Sequence, residues 1–158
     1  MIRTAVEADA PAIAALWNPM IRDTLSTFTT VEKTVADLEA LIVARRGAVF
    51  VAEVDGVGGG FVTFGPFRGG PGYVATVEHT VIVAPEQQGR GLGGSLMEAA
   101  QDAARADGKH VMVAAISHTN AAAQAFHKRL GYTEVARMPE VGLKANRWLD
   151  LVLMQKIL

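Results

Sequence analysis

Between a Val- and Thr-rich segment ended by Pro85 and an amphipathic segment closed by Gly108, the chain carries glycines at 89, 91, 93 and 94. That density of bare backbone, set where a strand turns into a helix, restricts the fold more than any other feature of the sequence. Tyr73–Val83 is rich in Val, Thr and Ile and is predicted as a strand, ended by a proline that has no N–H to give a ladder. Residues 91–107 are predicted as a helix with Leu92, Leu96, Ala100 and Ala103 aligned. Val111–Ile116 is short and uniformly apolar, as a strand buried in a parallel pair is, so the three segments predict a right-handed βαβ crossover.

The flanking segments fill in a mixed α/β fold. Asp9–Met20 places Ile13, Leu16, Trp17 and Met20 at helical spacing, with Asp9 as N-cap and Pro11 in the first turn. A second helix, Thr34–Arg46, carries Val35, Leu38, Leu41 and Ile42 on one face and ends before Gly47. Asp55-Gly56, between apolar runs 48–54 and 57–64, predicts a hairpin, with Gly58, Gly59 and Gly60 weakening its second strand. Gly65, Gly69, Gly70 and Pro71 mark a surface loop. Asn120–Leu130 reads as the last helix, closed by Gly131, and Tyr132–Met138 and Arg147–Gln155 as closing strands.

Composition narrows the function classes. At 158 residues, 50% hydrophobic and 20% charged, the chain suits one domain spanning 1–158. Fifteen basic against 16 acidic residues leave a formal charge of −1, which excludes a global field for nucleic acid. No apolar run reaches the roughly 18 residues of a membrane span. Arg3, Glu7, Asp9 and Pro11 interrupt any signal-peptide core, so a cytoplasmic protein is expected. With no cysteine there is no disulfide, thiolate metal site or cysteinyl acyl-enzyme, and histidines at 79, 110, 118 and 127 have no metal-ligand spacing. No metal is expected.

Free N–H groups and the positive end of a helix dipole make the glycine turn an anion site suited to a diphosphate, with Arg90 adding a local cation. A Lys-Ser/Thr pair that would make it a P-loop is missing, as is the dinucleotide glycine spacing. The pattern Gln88-x-x-Gly91-x-Gly93, after a Val-rich strand and Pro85 and entering an amphipathic helix, resembles motif A of the GNAT N-acetyltransferase superfamily. The resemblance implies acetyl-CoA as co-substrate, with its pyrophosphate on Gln88, Gly89, Arg90, Gly91, Leu92, Gly93 and Gly94 and its pantetheine arm along Val81, Ile82 and Val83. It also implies a mostly antiparallel sheet, one parallel pair splayed apart after Glu78, and helices on both faces.

Further matches lie at Trp17-Asn18, Thr24, Thr27, Phe28, Thr76-Val77-Glu78, Asn120, His127, Leu130-Gly131-Tyr132, Gly142-x-Lys144 and Arg147-Trp148-Leu149-Asp150. Together they resemble phosphinothricin and methionine sulfoximine N-acetyltransferases. Departures stand at Ala75, Ala123, Lys128 and Ala145-Asn146, where relatives carry an aromatic residue, Ser, Glu and Gly.

The chemistry expected is direct acetyl transfer to a small amino-acid-like amine. An α-ammonium must lose a proton before it attacks a thioester, and Glu78, on the opposite strand face to Val77, His79 and Val81, is the expected base. His127 stands where many superfamily members carry a tyrosine that protonates the CoA thiolate; imidazole there either donates that proton or orients a neighbour. Tyr132 is a weaker donor. Asn120 caps a helix and, with Arg129, is implied near the cofactor. Arg68, Pro71, Gly72 and Tyr73 are implied to border the acceptor pocket with Glu78, Arg68 being the nearest cation for a carboxylate. The resemblance further implies a homodimer involving the Trp148 strand. The rivals are an acetyltransferase for a polyamine, drug or protein N-terminus, and an idle acyl-CoA sensor.

Overall fold

A computed structural model describes all 158 residues. Its elements are β1 (Ile2–Thr4), α1 (Ala10–Asp23), α2 (Val35–Ala44), β2 (Val49–Val54), β3 (Val57–Pro66), β4 (Thr76–Val83), α3 (Leu92–Ala106), β5 (Val111–Ser117), α4 (Ala121–Arg129), β6 (Thr133–Lys144) and β7 (Arg147–Ile157). The strands form one sheet in the order β1-β2-β3-β4-β5-β7-β6. Every neighbouring pair is antiparallel except β4 and β5.

That parallel pair is three residues long: Thr76 opposite Val111, Val77 opposite Met112, Glu78 opposite Val113. Beyond Glu78 the strands part, while β3 stays paired with β4 as far as Val83. The β5-facing backbone edge from His79 to Val83 is therefore free, and the splay begins at the residue the sequence implied.

Two apolar layers hold the sheet. On one face α3 buries Leu96, Met97, Ala100 and Ala104 against Val62, Phe64, Val77, Met112 and Val152. Burying side chains of that size stabilises by about 1.5–3 kcal/mol each, so Leu96→Ala costs about 2–5 kcal/mol. On the other face Ile13, Leu38 and Ile42 of α1 and α2 pack on Val49, Val51 and Phe61. Thr34 and Asp37 form the capping box that starts α2. Asp55 and Gly56 both take positive φ in the predicted hairpin turn. Gly60 is required for close approach, since a Cβ there would stand 2.9 Å from the Ile82 carbonyl oxygen.

Two boundaries and one cap bond differ from the sequence expectation. Asp9 holds the N-cap position of α1 as expected, but its carboxylate makes no cap bond: it accepts the Val6 N–H and pairs with Arg3 instead. The strand expected from Tyr73 starts at Thr76, because Pro71–Tyr73 wind into a 3₁₀ turn. The strand expected to end at Met138 runs to Lys144 as β6 and returns through a two-residue turn at Ala145 and Asn146, with φ of 51° and 56°. Most β6 side chains are exposed, so the strand lacks the apolar alternation that would announce its length.

Candidate active site

The splay opens a cavity of about 360 Å³ that passes through the sheet. Its walls are Val81 and Ile82 of β4, Ala114 to Ser117 of β5, Ala123 and His127 of α4, and the segment between α1 and α2. That segment is tied down from three sides. Asn18 donates to the Lys33 carbonyl and accepts the Lys33 N–H, at 2.9 and 2.8 Å. Asn120 Nδ2 reaches Ser26 Oγ at 3.4 Å. Lys144, only 7% exposed, donates to the Thr27 carbonyl at 2.7 Å, and Phe28 fills the space over Gly142, where a Cβ would meet its ring at 2.5 Å. Residues matched separately in the sequence, Asn18, Thr27, Phe28, Asn120, Gly142 and Lys144, thus act together as a clamp on one cavity wall.

At the upper end of β4 the chain turns through Gly89 and Gly91, both with positive φ, into the first turn of α3. The amides of that turn have no intrahelical acceptors and carry the positive end of the dipole. A Cβ at Gly94 would touch nothing within 4 Å, so this face is open. At Gly93 it would meet the Phe126 ring at 3.2 Å, so this glycine also serves helix packing. Gln88 Nε2 bonds the Val83 carbonyl at 3.5 Å, and Arg90 is exposed beside the turn. The free N–H groups fit a diphosphate, and the unpaired edge at Val81 to Val83 fits the amides of a pantetheine arm.

Glu78 lies half-buried on the α1/α2 face, its carboxyl pushed above the usual carboxylate range by burial and pulled back by the charge of Arg45. Its neighbours Val77 and His79 line different cavities: His79 the splay, Val77 a second cavity of about 430 Å³ shared by Arg45, Gly65, Arg68, Pro71 and Tyr73. Glu78 itself lines neither; it sits in β4 between a residue of each, on the strand face that carries Gly65. Arg68 lies over the Tyr73 ring at 5.2 Å. Gly72 lines neither cavity, which departs from its expected place at the acceptor pocket. The 3₁₀ turn carries it outward.

Behind β4, His127 Nδ1 donates to the Ala123 carbonyl at 2.8 Å, and its Nε2 lies 2.8 Å from His79 Nε2. With Nδ1 protonated, neutral His127 accepts at Nε2 and His79 donates. Burial holds both rings neutral, lowering His79 to about 3. Both nitrogens of His127 are engaged, and neither is left to reach a thiolate. Of its two expected roles, the geometry favours the orienting one. Tyr132 stacks edge-on against both rings with its hydroxyl buried and unpartnered. His127 and Glu78 are not brought together: they serve opposite faces of β4. Asn120 caps α4 by accepting the Ala123 N–H at 3.0 Å and lines the splay, while Arg129 is exposed in the last turn of α4.

Sequence reasoning missed Arg45 and His79 as site residues, and matched Lys144 without its partner Thr27. Arg45 read as the end of a helix and His79 as a core position, and only tertiary contact gives them partners.

The Acetyltransferase (GNAT) family matches residues 17–132, and the chain belongs to it. It is 42% identical to the L-methionine sulfoximine/L-methionine sulfone acetyltransferase of Salmonella typhimurium, covering 98% of this chain and 92% of that one. It is 32% identical to the phosphinothricin N-acetyltransferase of Streptomyces coelicolor, over 95% and 91% of the two chains. A Salmonella typhimurium acetyltransferase solved with acetyl-CoA superposes with a TM-score of 0.95 at 42% identity, over 99% of this chain and 92% of that one. The expectations of the fold, of an acyltransferase and of acetyl-CoA as co-substrate stand. No helix is long and apolar enough to cross a membrane.

Proposed function

We propose that this chain, as a single domain, transfers the acetyl group of acetyl-CoA directly to the amino group of a small amino-acid-like acceptor of the methionine sulfoximine, methionine sulfone or phosphinothricin type. The observation that carries the reading is the desolvated Glu78 carboxylate at the mouth of the β4–β5 splay, beside a cationic cavity. The amides of Gly89 to Gly94 hold the pyrophosphate, with Gln88, Arg90 and Leu92 around them, and the backbone of Val81, Ile82 and Val83 aligns the pantetheine. Glu78 takes a proton from the acceptor's ammonium, directly or through water. The amine attacks the thioester carbonyl, the tetrahedral adduct expels CoA thiolate, and the adduct's second N–H proton passes to sulfur. His127 orients, Asn120 fixes the α4 end of the channel, and Arg129 lies toward the phosphates. Arg68, Pro71 and Tyr73 border the acceptor.

The working form is a cytoplasmic homodimer joined through the β6–β7 hairpin, where Leu143 and Trp148 are 56% and 61% exposed. Thiol release from acetyl-CoA tests the reading across L-methionine sulfoximine, L-methionine sulfone, L-phosphinothricin, spermidine and a peptide with a free N-terminus. The amino acids are expected to be turned over fastest; a faster polyamine or peptide overturns the acceptor class.

A further inference from the structure

The acceptor proposed above carries two charges, and Glu78 answers only the ammonium. Arg45 is the C-cap residue of α2, and its side chain turns back over β3. The guanidinium is half-buried and takes part in none of the chain's ion pairs. Its one hydrogen bond runs from Nη1 to Thr63 Oγ1 at 3.2 Å, leaving four of the five N–H donors of a guanidinium unused. A desolvated cation with spare donors and no carboxylate is an expensive arrangement in a folded chain.

Gly65 makes room for it. A Cβ at Gly65 would stand 2.6 Å from Arg45 Cζ and 2.7 Å from Nε and Nη2. Gly65 is also the residue directly opposite Glu78 in the β3–β4 ladder. Paired residues of an antiparallel ladder project to the same face, so the guanidinium lies beside the Glu78 carboxylate on that face. The two are nonetheless not a salt bridge. A cation and an anion fixed side by side but out of contact match a ligand carrying the opposite charges on one carbon, which is what an α-amino acid presents.

We propose that Arg45 determines acceptor specificity by binding the α-carboxylate of the amino acid whose ammonium faces Glu78. This rests on the amino-acid acetyltransferase reading. It assigns the carboxylate to a residue on the sheet side of the second cavity, and Arg68, exposed and lying over Tyr73, to its outer rim. The loss of Glu78's coulombic support in any Arg45 variant affects every acceptor alike. A carboxylate contact affects only acceptors that have one.

The test compares kcat/KM for L-methionine sulfone and for its decarboxylated amine in the wild-type chain, Arg45→Gln and Gly65→Ala. Wild type is expected to prefer the amino acid. Arg45→Gln should lose on the order of 10- to 100-fold with the amino acid, the range for a charged partner left unpaired, and far less with the amine. Gly65→Ala, which displaces the guanidinium without removing its charge, should shift the preference in the same direction. It keeps the assignment testable if Arg45→Gln fails to fold. Acetyl-CoA affinity should be unchanged in both. A wild-type preference that survives both substitutions, or an equal loss with both substrates, overturns the role of Arg45 and leaves the acceptor class intact. A wild-type chain that acetylates the amine as well as the amino acid overturns both.

Discussion

The cofactor turn and the acceptor face solve binding in different ways. From Gln88 to Ser95 the groups proposed to recognise the cofactor are backbone amides, supplied by consecutive residues and freed by glycines with positive φ or open faces. At the proposed acceptor face the groups are two side chains, Arg45 after α2 and Glu78 on β4, with Gly65 at the end of β3 leaving the gap that admits the guanidinium. A site made of backbone is contiguous in sequence and tolerates any side chain that stays out of the way. A site made of side chains is dispersed, and each member depends on the packing of its own element.

The contrast predicts opposite responses to substitution. Glu78→Gln keeps shape and removes basicity, so kcat is expected to fall by roughly 10²-fold or more while acetyl-CoA affinity measured by calorimetry is retained. Because burial raises the Glu78 carboxyl, the wild-type rate should decline as pH falls through a value above the ordinary 4.5, and the variant should lose that limb. Full activity in Glu78→Gln would move the base elsewhere.

In the turn, Gly94→Ala is the sharper probe. The added Cβ meets no protein atom and the helix gains about 0.5–1 kcal/mol from the better propensity, so melting temperature should hold or rise. Acetyl-CoA affinity should fall about 10-fold, as for a site where close backbone approach is the binding contact. Unchanged affinity would remove the pyrophosphate from this turn. Gly93→Val is expected to weaken acetyl-CoA as well, but it also collides with Phe126 and loses stability, so it separates the two effects poorly.

The histidine pair gives a smaller effect, with a sign that distinguishes it from Glu78. His79 and His127 have folded pKa values below the ordinary 6.5, so the unfolded chain binds more protons and stability is lost as pH drops below about 6.5. Glu78, raised in the fold, gains stability over the stretch where it protonates. Melting temperature should therefore fall between pH 7 and 5, and His127→Gln should flatten that slope. A slope unchanged in the variant would mean that the pair is not held neutral. Smallest of all, Ala145→Gly relieves a left-handed φ of 51° and should raise stability by about 1 kcal/mol, with turnover unaffected.

Legibility in the sequence followed the same division. The glycine turn, the Asp55-Gly56 hairpin and Glu78 at the start of the splay are local patterns whose meaning lies within a few residues. Lys144 finds Thr27 across 117 positions, His79 finds His127 across 48, and Arg45 reaches Thr63 across 18. No periodicity records such pairs. The length of β6 was hidden for a different reason: a strand exposed along most of its length has no apolar rhythm to count, and its turn uses Ala145 where a glycine would have marked it.

The three-residue seam between β4 and β5 has a mechanical consequence. Four strands lie on one side of it and three on the other, and only Thr76 to Glu78 stitch the halves together within the sheet. The halves should open as separate cooperative units in hydrogen exchange, with the amides flanking the splay the least protected of the sheet interior. An extended ligand lying along the free edge of β4 would bridge the gap as a surrogate strand. Its binding energy then appears as coupling between the two units, so saturation should slow exchange in β5 and β7, well beyond the residues it touches.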